Sequence, residues 1–274
     1  MKLKIGISPC PNDTFIFHAL LHQLIPVGSL KFEAFFADVQ TLNEGARSGD
    51  FDIVKISYGN LWNVQEAYGL LYSGGAMGYG CGPLLLSALS NRFNPGIPVG
   101  VPGVNTTAHV LLRFWAESEG VTFKPEYDFF DKLYRDLRKG FRGQSLVIHE
   151  NRFTYEKDGL YLIRDLGDYW EKKTEAPIPL GGIVIRRDLG QDVAKTVDGL
   201  IRQSVEFAWE NPDRSEIFIR ERAQETEKTV VASHRKLYVT AFSAHMGNKG
   251  KVAIESLQQL IAPEFGDIDS VFAY

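Results

Sequence analysis

Residues 2–20 read KLKIGISPCPNDTFIFHAL, and this stretch decides the fold. Lys2 to Ile7 alternates polar and apolar side chains, the period of a half-buried strand. Pro9 and Pro11 end it, because proline fixes φ and has no amide to donate to a ladder. Asn12, Asp13 and Thr14 then offer side-chain oxygens as caps for an apolar helix from Phe15 to Leu24. A strand, a rigid turn and a helix in that order open an α/β unit.

The same alternation continues outward. Leu30 to Ala37 predicts a second strand, Val39 to Ala46 a short helix, and Phe51 to Ser57 a third strand closed by Tyr58 and Gly59. The glycine-rich loop GGAMGYGCG, Gly74 to Gly82, precedes an apolar run from Leu84 to Ala88. It lacks the lysine and the following helix of a phosphate-binding P-loop, and close backbone approach explains its glycines better. Val99 to Val101 leads through Pro102, Gly103 and Thr106 into a helix from Thr107 to Glu117. Ser145 to Ile148, Leu160 to Ile163 and Ile178 to Ile185 predict further strands. From Asp192 onward only helical spacing remains, interrupted at Asn211, Pro212 and Asp213, with Gly247 to Gly250 ahead of the last helix.

This order fits two α/β lobes, the second inserted into the first, with LLLSAL (84–89) and GGIVIR (181–186) as crossing segments. Lobe 1 is expected over residues 1–88 and 184–274, including a helical C-terminal tail, and lobe 2 over 89–183. A cleft would then lie between them.

Composition bounds the function. At 274 residues with 44% hydrophobic and 23% charged side chains, the chain can bury a sizeable core. A net charge of -4 with scattered basic residues offers no electrostatic footprint for nucleic acid. No stretch is long and apolar enough to predict a membrane span or an export signal, so a cytoplasmic location is expected. Cys10 and Cys81 are far apart and lack metal-ligand spacing, which argues against a disulfide framework and a zinc site.

In open α/β sheets, ligands bind beyond the carboxyl ends of the strands, where helix N-termini converge. Ser8 and Asn12, Ser57, Thr106 and Thr107, and His149 all follow predicted strands. His149 is the leading candidate for proton transfer, because imidazole titrates near neutral pH. Glu150 beside it would face the opposite side of a strand and so would orient it poorly. Thr106 and Thr107 open a helix whose positive end suits a carboxylate, although an ordinary N-cap is the simpler reading of the same residues. Lys55 shares a strand face with Ser57. His18 and His22 have metal-pair spacing but no third ligand, and a solvated helix face is the simpler reading. Cys10 between prolines invites a thiol nucleophile paired with His149, or a small buried residue in a tight turn.

Several blocks carry more than spacing. SPCPNDTFIFHAL at Ser8 to Leu20, DIVKIS at Asp52 to Ser57, GGAMGYGCGPLL at Gly74 to Leu85, VPGVNTTAHVLL at Val101 to Leu112, VIHENRFTY at Val147 to Tyr155 and PIPLGGIVIRRDLG at Pro177 to Gly190 occur in this order. Together they resemble the 1,4-dihydroxy-6-naphthoate synthases of the futalosine route to menaquinone. The resemblance implies a two-lobed, periplasmic-binding-protein-like (type II) fold adapted to catalysis. It implies a lyase that cleaves cyclic dehypoxanthinyl futalosine, a small-molecule carboxylate, to 1,4-dihydroxy-6-naphthoate and dihydroxyacetone without a cofactor or metal. It implies His149 as general base and Lys55, Ile56, Ser57, Thr106 and Thr107 as substrate contacts. The competing readings are chorismate dehydratase of the same pathway, a non-catalytic solute-binding protein of the same fold, and a Cys-His hydrolase using Cys10.

Overall fold

The computed structural model of the chain describes residues 1–223 and 227–274. Its opening follows the sequence: β1 (Lys2–Ile7), α1 (Pro11–Leu21), β2 (Lys31–Phe36), α2 (Val39–Ser48) and β3 (Ile53–Ser57). After α3 (Leu61–Val64) come β4 (Tyr68–Leu70) and β5 (Ala76–Gly78). The middle of the chain holds β6 (Leu84–Ser87), β7 (Val99–Val101), α4 (Thr107–Glu119), β8 (Pro125–Tyr127), α5 (Phe130–Arg138), β9 (Gln144–Val147), β10 (Tyr161–Asp165) and α6 (Leu166–Thr174). Then β11 (Ile178–Arg186) leads into α7 (Gln191–Glu210), α8 (Glu216–Arg220), α9 (Lys228–Tyr238), α10 (Ala241–Ala244) and α11 (Gly247–Ile261).

Two sheets result, ordered β2-β1-β3-β11-β4 with β5 on β11, and β10-β6-β9-β7-β8. Strands β1, β2 and β3 pair in parallel, but β11 runs antiparallel between β3 and β4. In the second sheet β7 is parallel to β8 and β9, while β6 is antiparallel to β9 and β10. Both sheets are therefore mixed. Neither expected crossing segment crosses. Leu84–Ser87 already hydrogen-bonds within the second sheet, and the strand that carries GGIVIR lies wholly in the first. The chain changes sheets earlier, between β5 and β6 and again between α6 and β11. The reason is length: each crossing uses a short connector, so the apolar runs beside it are free to serve as strands.

Local chemistry explains the elements that frame the cleft. Pro11 occupies the first turn of α1, where a missing amide costs nothing, so the helix starts before the residues that looked like its caps. Helix α1 is buried almost all round because it lies between β2 and the helices α7, α8 and α9, with Phe15, Ile16, Phe17, Ala19 and Leu20 almost fully buried. Asp38 caps α2 by accepting from the amides of Gln40 and Thr41, and Asp165 caps α6 the same way through Gly167 and Asp168. Gly247 and Gly250 begin α11 instead of preceding it. At the end of the chain, Ala273 donates its amide to the Leu70 carbonyl, so the helical tail finishes against the edge of the first sheet.

At the crossing itself, Gly82 and Gly167 press backbone on backbone: a Cβ on Gly82 would sit 2.3 Å from the Gly167 Cα. Replacing Gly82 with alanine is expected to destabilise by about 1–3 kcal/mol through overpacking. Gly199 within α7 meets nothing within 4 Å, so Gly199→Ala is expected to stabilise by about 1 kcal/mol through helix propensity. Thermal melts of the two variants should move in opposite directions; a Gly82→Ala melt at or above that of the parent would contradict the packing described.

Candidate active site

One cleft collects the strand-end residues of both sheets. Its water-accessible volume is about 100 Å³, and it is lined by Ser8, Asn12 and Asp13 from the first turn, Lys55, Ile56 and Ser57 from β3, Thr106 and Thr107 from the start of α4, and His149 after β9. Much of the remaining wall is apolar, including Val39, Leu42, Ala76, Pro83, Ile148 and Leu180. An apolar enclosure with few polar groups strengthens every charge–charge and charge–dipole interaction inside it.

His149 reaches this cleft by an unusual backbone. Its φ is +62°, in the left-handed region that costs an L-residue steric energy, and it begins a short 3₁₀ turn, His149–Phe153, after β9. Nδ1 lies 3.5 Å from the Cys10 sulfur, and the ring packs 4.7 Å from Phe130 and 6.3 Å from His234. Packed neighbours withhold the water an imidazolium needs, which lowers its pKa to about 4. The Asp13 carboxylate opposes this and the Lys55 ammonium reinforces it. The ring is thus neutral at physiological pH and able to accept a proton. The Glu150 side chain lies outside the described residues.

Lys55 and Asp13 form a buried ion pair, Nζ to Oδ1 2.7 Å. Ser57 also faces the cleft, and its setting comes from a residue not singled out in the sequence: Asn43, fully buried, accepts from the Ser57 amide at 2.9 Å and approaches its hydroxyl at 3.4 Å. Ile56 contributes wall and backbone only, being 1% exposed and paired with Gly182.

The threonines differ from a simple anion cradle. Thr106 donates its hydroxyl to the Gly103 carbonyl and caps the amide of His109. Thr107 donates to the Leu180 carbonyl and accepts from the Gly59 amide. Their hydroxyl protons are committed to the protein. The amides of Thr107 and Ala108 find no acceptor among the described residues, so donors for a carboxylate at this helix start come from the backbone.

Of the remaining histidines and cysteines, Cys81 also lines the cleft and Cys10 lies beside His149, whereas His18 and His109 do not line it. His18 is buried, 7% exposed, beside His22 and Phe218, which corrects the solvated reading of that face; burial first, then His22 and Arg214, lowers its pKa to about 4. His109 directs Nδ1 to the Val104 carbonyl and helps fix the turn before α4. Cys10 and Cys81 are buried thiols, and burial pushes Cys81 up to about 12. Among the described residues no cluster of His, Cys, Asp or Glu has the makings of a metal site, and no helix is long and apolar enough to cross a membrane.

Comparison with known proteins places this geometry. A family model described as menaquinone biosynthesis matches residues 3–263. The 1,4-dihydroxy-6-naphthoate synthase of Streptomyces coelicolor is 40% identical over 264 residues, covering 96% of this chain and 93% of the relative. That of Thermus thermophilus is 39% identical over 255 residues, covering 93% and 92%. Among solved structures, a protein from Archaeoglobus fulgidus superposes with a TM-score of 0.89 at 27% identity, covering 96% of this chain and 97% of its own. A Candida albicans protein with the generic periplasmic binding protein fold gives 0.69 at 14% identity, covering 99% and 93%. The two-sheet α/β architecture is thus a periplasmic-binding-protein-like fold.

Burial of His149 makes a direct prediction. Its Cε1 resonance should stay at the neutral position as pH falls from 7 to 5 and move only near pH 4. A midpoint near the ordinary value of about 6.5 would show the ring to be solvated.

Proposed function

The chain belongs to the menaquinone-biosynthesis family, and from that premise we propose that it is a cytoplasmic 1,4-dihydroxy-6-naphthoate synthase. Its substrate in this reading is cyclic dehypoxanthinyl futalosine, and its products are 1,4-dihydroxy-6-naphthoate and dihydroxyacetone. The class is a carbon–carbon lyase, and the substrate enters between the lobes built on the two sheets. The observation that carries the reading is a neutral histidine in a water-poor cleft at a strand end, facing polar groups from the other sheet.

The chemistry needs little more. His149 takes a hydroxyl proton from the sugar-derived part of the substrate, a retro-aldol cleavage follows, and aromatisation of the new ring drives it forward. For Nε2 to be the accepting atom, Nδ1 carries the ring proton and donates it toward the Cys10 sulfur. A conjugate acid with a pKa near 4 is strong, so the proton is readily passed on. The substrate carboxylate lies at the start of α4 against the free amides of Thr107 and Ala108, with Thr106 holding the turn. Lys55, Ile56 and Ser57 line the opposite wall. General base catalysis supplies about 10²- to 10⁴-fold, and fixed orientation in a closed site supplies much of the rest.

The test is incubation of the purified protein with cyclic dehypoxanthinyl futalosine, no cofactor added, with chromatography for 1,4-dihydroxy-6-naphthoate. His149→Asn tolerates the left-handed backbone and is expected to lower kcat by about 10²- to 10⁴-fold while retaining substrate binding. Near-normal turnover in that variant would remove His149 as the base. Absence of product from folded protein, with turnover of chorismate instead, would make it the dehydratase. Cys10→Ser is expected to remain active, since no nucleophile is required; loss of turnover in that variant, together with a thioester trapped on Cys10 of the parent protein, would favour the hydrolase.

A further inference from the structure

Asp13 has no role in the chemistry above, yet it is among the most constrained side chains in the cleft. It is 1% exposed, and both oxygens are held: Oδ1 accepts from Lys55 at 2.7 Å and from Asn12 at 2.8 Å, and Oδ2 accepts from the Ser8 hydroxyl at 2.7 Å and the Ser8 amide at 3.2 Å. A carboxylate so saturated cannot turn toward a substrate. The Lys55 ammonium is different. Besides Asp13 it meets only the Gly74 carbonyl, at 3.4 Å, and an ammonium has three N–H donors. Among the described residues lining the cleft, it is the only lysine or arginine.

Stability does not account for the pair. Taking both charges out of water costs about as much as their attraction returns, and apolar replacements of buried pairs are commonly neutral or better. A fixed cation in a dry cleft does, however, stabilise negative charge that appears during reaction, because it is oriented beforehand.

We propose that the Lys55 ammonium is a catalytic group that stabilises the oxyanion formed as the carbon–carbon bond breaks, and that Asp13 is the positioning residue that aims it. The inference rests on the synthase reading. In a retro-aldol cleavage a hydroxyl proton passes to His149, that oxygen becomes a carbonyl, and the carbon–carbon bond breaks. The bonding electron pair ends on the carbonyl oxygen of the departing three-carbon fragment as an enolate, which then takes up a proton at carbon. No oxidant or reductant enters. The enolate oxygen carries the one new negative charge, and the free N–H of Lys55 is the donor placed to meet it.

Lys55→Met keeps the length of the side chain and removes the charge. It is expected to lower kcat by about 10²- to 10³-fold, the cost of an oxyanion donor, with the Kd for 1,4-dihydroxy-6-naphthoate almost unchanged. Lys55→Arg should recover at least tenfold of that loss. Asp13→Asn should lower kcat in the parent but add nothing in the Lys55→Met background, because Asp13 acts through Lys55. Each single variant leaves a buried charge unpaired and the double variant does not, so should either single variant fail to fold, the double variant against the parent still reads the loss of the ammonium, and an undiminished kcat there overturns the idea. The idea is overturned if Lys55→Met raises KM and product Kd together while sparing kcat, which would make Lys55 a carboxylate anchor. It is also overturned if Asp13→Asn costs the same factor in both backgrounds, which would make Asp13 a fold residue. A parent protein that makes no product removes the synthase reading itself, whereas parent turnover with an undiminished Lys55→Met removes only this inference.

Discussion

Everything in the cleft depends on the antiparallel strand β11 being able to lie flush between β3 and β4. Two glycines permit it. A Cβ on Gly181 would fall 2.9 Å from the Ile56 carbonyl and 3.0 Å from the Lys55 side chain, and one on Gly182 would meet the Tyr58 ring at 3.0 Å. With those positions bare, Gly181 pairs with Ser57 and Gly182 with Ile56, and the chain returning from the second sheet is drawn against the strand that bears Lys55. Leu180, one residue earlier, then presents the carbonyl that Thr107 binds. The register of one strand thereby fixes the distance between a buried lysine and the start of a helix from the other lobe.

The electrostatics follow from that enclosure. A wall of aliphatic side chains gives a low local dielectric, in which an isolated charge is expensive and a well-placed one is strong. The cleft resolves this by keeping its imidazole neutral and pairing its lysine with a carboxylate. Each arrangement avoids an unpaired buried charge.

How much of this was legible in the sequence depends on the range of the interaction concerned. Strand ends are local features, so Ser8, Ser57, Thr106 and His149 could be placed on one side of the fold from alternation and turn residues, and they do line one cleft. The partners that hold them are distant in the chain and silent in periodicity. Asp13 meets Lys55 and Asn43 meets Ser57 only after the sheet has formed. A charged residue at the centre of an apolar strand, as in IVKIS, was the one signal that a counter-charge had to exist. The capping oxygens of Asn12 and Asp13 misled for a related reason: Pro11 starts the helix earlier and frees Asp13 for the ion pair. His18 seemed solvated because its cover, Phe218, arrives from the helical tail. The sheet crossings were displaced by a few residues because apolar runs beside a crossing look the same on either side of it.

The paired bonds of the Thr107 hydroxyl have a kinetic consequence. They join the second lobe to the first at two points, the Gly59 amide and the Leu180 carbonyl. At about 0.5–1.5 kcal/mol each, they hold the lobes together without making separation rare. The start of α4 is therefore latched to the first sheet by bonds internal to the protein. Any motion that parts α4 from β11 must first break both bonds, so a single threonine hydroxyl sets in part how often the two sheets separate there.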